Sequence, residues 1–74
     1  MHAMTLGENI KRLRGSRRQL DIATAAGVPQ GTISQLESGY IVRPRLDTLE
    51  ALARGLGVSL AELVDPDNAK RSKR

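Results

Sequence analysis

Apolar residues recur along this chain at helical spacing, and the alternation expected of strands is absent. Leu6, Ile10 and Leu13 stand at i, i+4 and i+7, one face of a first helix. Thr5 and Glu8 form a capping box at its start: the Thr5 hydroxyl accepts from the Glu8 N–H while Glu8 reaches back, and Gly15 ends the helix. Ser16 and Gln19 repeat that signature before a second helix carrying Leu20, Ile22, Ala23 and Ala26. Gly27 is placed to close it at positive φ, with Val28 as a buried stop. A third helix is predicted from about Pro29 to Glu37, with Ile33 and Leu36 as its core face and Gly39 as its end. Proline suits an early helical position, where its missing N–H would have had no partner. Residues 40–45 read as loop, because Pro44 disfavours a helical Arg43. A fourth helix carries Leu46, Leu49, Leu52, Ala53 and Leu56 and closes at Gly57. Ser59 with Glu62 is a third capping box, opening a short fifth helix with Leu60, Leu63 and Val64 that Asp65-Pro66 stops.

The expected fold is therefore all-α: a compact five-helix bundle in which short connections make sequential helices pack on one another. Residues 1–4 are expected to be a flexible N-terminus, residues 5–66 the domain, and residues 67–74 a disordered basic tail with almost nothing to bury. Composition sharpens the picture of the core. The chain has 74 residues, of which 39% are apolar but only 1% aromatic, Tyr40 being the single aromatic. The core must be Leu, Ile, Val and Ala, and small residues such as Ala23, Ala26 and Ala53 must let helices approach closely.

Chemistry is sparse. There is no cysteine, and the one histidine is His2 near the terminus, so neither a metal site nor a thiol or imidazole catalyst is expected. No phosphate-cradling glycine loop or paired acids in a plausible pocket point to an enzyme, and no cofactor or small-molecule ligand is implied. No apolar run exceeds four residues, which excludes a spanning helix, and no secretory signal is present, so the chain is expected in the cytoplasm. What remains is charge: twelve Lys and Arg against eight Asp and Glu, net +4, which favours an anionic partner.

The second and third helices, joined by Gly27 and Val28, form the turn of a helix-turn-helix. Ala23 is small where the two helices cross, and Ile33 returns to the same core. The series Gln19, Ala23, Gly27, Val28, Ile33, Ser34, Glu37, Gly39 continues through Pro44, Thr48-Leu49, Leu52-Ala53, Leu56-Gly57-Val58-Ser59 and Leu63. It resembles the DNA-binding domain of lambdoid phage repressors and Cro and the prokaryotic regulators related to them, the XRE family, over roughly residues 5–64.

The resemblance implies that the third helix lies in the major groove and the second across the DNA backbone. Gln30, Gly31, Thr32, Ser34 and Gln35 then face the duplex, and none is charged. Gln30 matches a base-contacting position, its amide suiting the edge of adenine, the alternative being a solvated helix-start glutamine. Thr32 offers a methyl to a thymine methyl. Gln35 reaches a base or a phosphate, or is simply solvated. Ser34 either faces the groove or bonds back to its own helix. Gly31 is silent as a base reader, or lets the backbone come closer. Gln19 matches a residue that touches phosphate and braces the first recognition-helix glutamine. Arg17, Arg18 and Arg45 are phosphate candidates. Arg43 enters a narrow minor groove or contacts phosphate only. Arg14 and Glu37 match a structural ion pair between the first and third helices.

Two departures from the family stand out. Only Arg14–Arg18 separate Leu13 from Gln19, about two residues fewer than usual, and Pro29 replaces a helix-capping Ser or Thr. The implied function is a sequence-specific double-stranded DNA-binding transcriptional regulator, a repressor, acting as a homodimer on a two-fold operator through a surface around Val58, Leu60, Leu63 and Val64, some of which belong instead to the domain's own core. The alternative is an antitoxin or accessory module whose main partner is a protein. Charge is polarised accordingly. Residues 67–74 carry four bases and one acid, while five of the eight bases in residues 1–66 fall within residues 11–18.

Overall fold

The computed structural model describes residues 4–65. Within them lie five helices and no strand: α1 (Leu6–Arg14), α2 (Gln19–Ala26), α3 (Gln30–Ser38), α4 (Leu46–Leu56) and α5 (Leu60–Val64). The expected N-terminal segment apart from Met4, and the expected basic tail, lie outside the described residues.

The ends of the helices follow local chemistry. The Thr5–Glu8 capping box closes α1 in both directions, at 3.1 and 2.9 Å. Gly27 takes φ 75° and ends α2, its successor Val28 donating to the Ala23 carbonyl at 3.0 Å. The same turn ends α4, with Gly57 at φ 79° and Val58 donating to Ala53 at 2.9 Å. Ser59 caps α5 by accepting from the Glu62 N–H.

The capping box expected of Ser16 and Gln19 does not form. Arg18 is the residue that precedes α2, with no side-chain cap, and the Gln19 amide is committed elsewhere. Likewise Pro29 stands just before α3 rather than inside it, leaving that helix without a side-chain cap.

Packing joins α2 to α4, α1 to α3, α2 to α3, and α5 to both α1 and α4. The core is Ile10, Ile22, Ala23, Ala26, Ile33, Leu36, Ala51, Leu52, Ala53, Leu56 and Leu63, with Leu6, Leu13, Val28, Ile41, Leu49 and Val58 packed against it. Leu20 and Leu46, both expected on buried faces, are 52% and 61% exposed. The helix period brings their neighbours inward instead. Leu63 is fully buried, so it belongs to the core and not to a dimer surface.

Two close crossings depend on glycine. A Cβ at Gly7 would run into the backbone carbonyls of Leu36 and Glu37, so α1 lies directly on the end of α3. A Cβ at Gly55 would stand 2.8 Å from that of Ala26, where α4 meets α2. With no large aromatic in the core, close backbone approach is how these helices fill the space between them.

Candidate nucleic-acid interface

Helix α3 divides cleanly. Ile33 and Leu36 are buried against the core, while Gln30, Gly31, Ser34 and Gln35 are exposed and lie on one face at i, i+1, i+4 and i+5. Thr32, expected on that face, is half-buried at its edge. The exposed side chains are small or amide-bearing, and none carries charge.

A single side-chain chain anchors this face to the rest of the domain. Gln30 Nε2 donates to Gln19 Oε1 at 3.4 Å, and Gln19 Nε2 donates to Glu37 Oε1 at 3.0 Å. Glu37 in turn accepts two parallel bonds from Arg14, Nε to Oε2 at 2.7 Å and Nη2 to Oε1 at 2.9 Å. The side chain of Glu37 is 4% exposed and that of Arg14 is 17% exposed. Burial pushes the Glu37 carboxyl up, but the hydrogen bonds from Arg14 and Gln19 and the charges of Arg14 and Lys11 outweigh it. The net result lies below the ordinary carboxylate value. Arg14 is raised above its own ordinary value, first by its bond to Glu37.

The same arginine holds the shortened connection before α2. Arg14 Nη1 donates to the Arg17 carbonyl at 2.7 Å. The Arg17 guanidinium returns to the carbonyls of Leu13 at 2.7 Å and Arg14 at 3.1 Å, and reaches that of Leu56 at 3.5 Å. Arg17 therefore covers the C-terminal ends of α1 and α4, where unpaired carbonyls and the helix dipole favour a cation.

The other candidate cations are surface groups. Arg18 pairs with Asp21 at 3.2 Å and Arg45 with Asp47 at 3.6 Å, all strongly exposed. Such pairs are weak and screened, so either arginine can exchange its carboxylate for another anion at little cost. Arg43 is exposed in the loop between α3 and α4.

Asn9 was not evident as a functional or structural residue from sequence. It is fully buried, donating from Nδ2 to the carbonyls of Leu63 at 2.6 Å and Glu62 at 3.1 Å, and accepting at Oδ1 from Arg12 at 2.7 and 3.1 Å. It thus caps the end of α5 from α1. The signal was a polar residue at i+3 from Leu6, inside the apolar stripe.

An α2 with one buried face, a tight glycine turn and an α3 with one exposed uncharged face define a helix-turn-helix protein. Residues 10–63 match the helix-turn-helix family, and the chain belongs to it, as a member of the XRE type. Its fold is similar to the solution structure of the DNA-binding domain of the P22 c2 repressor. The TM-score is 0.80 and the identity 30%, over 90% of each chain. It is also similar to a crystal structure of the P22 c2 repressor in complex with synthetic operator 9T, with TM-score 0.74 and 30% identity over 84% of this chain and 96% of that one. Among curated proteins, it is 42% identical over 48 residues to a Mycobacterium tuberculosis (strain ATCC 25618 / H37Rv) protein provisionally designated antitoxin HigA3. That match takes in 65% of this chain and spans 44% of the relative's length. Among the described residues, no helix is long and apolar enough to cross a membrane.

Proposed function

We propose that this chain is a sequence-specific double-stranded DNA-binding transcriptional regulator of repressor type, reading operator half-sites with α3 in the major groove. The observation that carries this reading is the face formed by Gln30, Gly31, Ser34 and Gln35. It is exposed, free of charge, and fixed through Gln19 to the Arg14–Glu37 ion pair, which is largely shielded from solvent. An amide held at the start of α3 is preorganised to pair with the N7 and N6 edge of adenine. Thr32 and Gln35 extend the contact along the groove, and Ser34 adds a hydroxyl. Arg18, Arg43 and Arg45 meet phosphates or the minor groove around it, and Gln19 adds a phosphate contact while bracing Gln30. Arg17 acts mainly through structure, placing the segment before α2 against the backbone. Two copies bind a two-fold site, with half-site centres about 34 Å apart. Of the residues expected on the dimer surface, half-buried Leu60 and exposed Val64 are accessible to a partner copy.

A second reading, an antitoxin with a protein partner, is favoured by the similarity to the HigA3 protein. The two are compatible if the chain both binds DNA and is held by a partner.

The test is retention of a genomic DNA fragment library at about 50 and 200 mM salt. Selective retention of a few fragments at the higher salt is expected. Uniform retention that vanishes with salt contradicts the regulator reading.

A further inference from the structure

Six of the seven glycines have a reason inside the fold. Gly15, Gly27, Gly39 and Gly57 end helices at positive φ, and Gly7 and Gly55 sit at crossings too close for a Cβ. Gly31 has neither reason. Its φ is not positive, and a Cβ placed on it meets nothing within 4 Å. It lies in the first turn of α3, exposed, between Gln30 and the half-buried Thr32. Glycine is a poor helix former, so folding alone would favour alanine here. The free chain gains nothing from the missing side chain.

The surroundings indicate what does. Gly31 sits in the middle of the one uncharged face of α3, with Ser34 and Gln35 one turn further along and Gln30 held in place by Gln19. On the reading that this face enters the major groove, we infer that Gly31 is a specificity-determining residue. Its bare backbone seats directly against the base edges. The close approach sets the depth at which Gln30, Ser34 and Gln35 meet their bases. A Cβ at this position projects into the contact and holds the helix away from the groove floor. The space that is open in the free chain is filled by the duplex in the complex.

The inference separates folding from binding, and Gly31→Ala reads both. The wild-type chain is first carried through selection for its preferred duplex, and the variants are then measured on that duplex and on an unrelated one. Gly31→Ala is expected to leave Tm unchanged or raise it by up to about 5 °C. Its affinity for the selected duplex is expected to fall on the order of tenfold, with affinity for the unrelated duplex unchanged because phosphate contacts are not touched. Gly31→Leu should fold as well and lose more. Undiminished affinity of a folded Gly31→Ala for the selected duplex overturns the inference. A clear drop in Tm also overturns it, since it would reveal an internal contact that needs the glycine. If the wild-type chain selects no duplex at all, the DNA-binding reading fails first and the inference falls with it. That failure is seen before any variant is made.

Discussion

Arg14 on α1 grips Glu37 on α3 through two parallel hydrogen bonds of 2.7 and 2.9 Å, and the same carboxylate holds Gln19, which holds Gln30. A nearly buried ion pair thus stands two side chains behind the exposed face of α3. Breaking such a pair by removing one partner strands the other charge.

Glu37→Ala is therefore expected to destabilise the domain by about 3 kcal/mol, the low end for buried pairs because Arg14 keeps some contact with solvent. Denaturant unfolding with an unchanged m-value checks it. Glu37→Gln should cost less and still loosen Gln19. A loss within about 0.5 kcal/mol for Glu37→Ala, the range of ordinary surface substitutions, would show that the pair is not important for stability.

Acid should weaken the fold through the same carboxylate. The pKa of Glu37 is lower folded than unfolded. Its stabilising effect is therefore fully present above the unfolded-state value, about 4.3, and is lost as pH falls through the lower folded value. Tm should fall as pH drops below about 5, and the fall should be shallower in Glu37→Gln. Identical slopes in the two proteins would assign the acid sensitivity to other groups.

Asn9→Ala should cost about 2–4 kcal/mol. It removes a buried side chain that satisfies two carbonyls of α5, and each buried polar group left unpaired costs about 1–3 kcal/mol. Thermal unfolding measures it, and hydrogen exchange should show the loss concentrated in α5.

Gly7→Ala runs against helix propensity. Alanine is the better helix former, yet its Cβ would strike the Leu36 and Glu37 carbonyls. The expected change is destabilisation by about 1–3 kcal/mol, the usual cost of overpacking. A stabilised Gly7→Ala would mean that α1 and α3 do not cross this closely.

Much of this was legible in the chain because helix signals are local. Thr5 and Glu8, Gly27 before Val28, and the spacing of Ile33 and Leu36 each depend on neighbours a turn away, and all form as read. Misreadings arose where a distant partner competes for a side chain. Gln19 abandons Ser16 for Glu37, a residue on another helix. The bonds of the exposed Arg17 to carbonyls of α1 and α4 are hidden from a local pattern for the same reason. Gly7 and Gly55 were equally hidden, since nothing in a one-dimensional pattern tells where two helices touch. Leu63 stays open between core and dimer surface for the converse reason: at i+3 from Leu60, its face is decided by where α5 docks, and that puts it in the core.

If α3 reads bases, Gln30 is the side chain most committed to that role. Selection from randomised duplexes, run side by side on the wild-type chain and Gln30→Ala, puts base reading by α3 to the test. The wild type is expected to select a two-fold symmetric sequence. Gln30→Ala is expected to select the same sequence with one adenine position per half-site relaxed, at a loss of roughly 1–3 kcal/mol. Failure of the wild type to enrich any sequence, or an unchanged preference at every position in Gln30→Ala, would rule out base reading by Gln30 from α3.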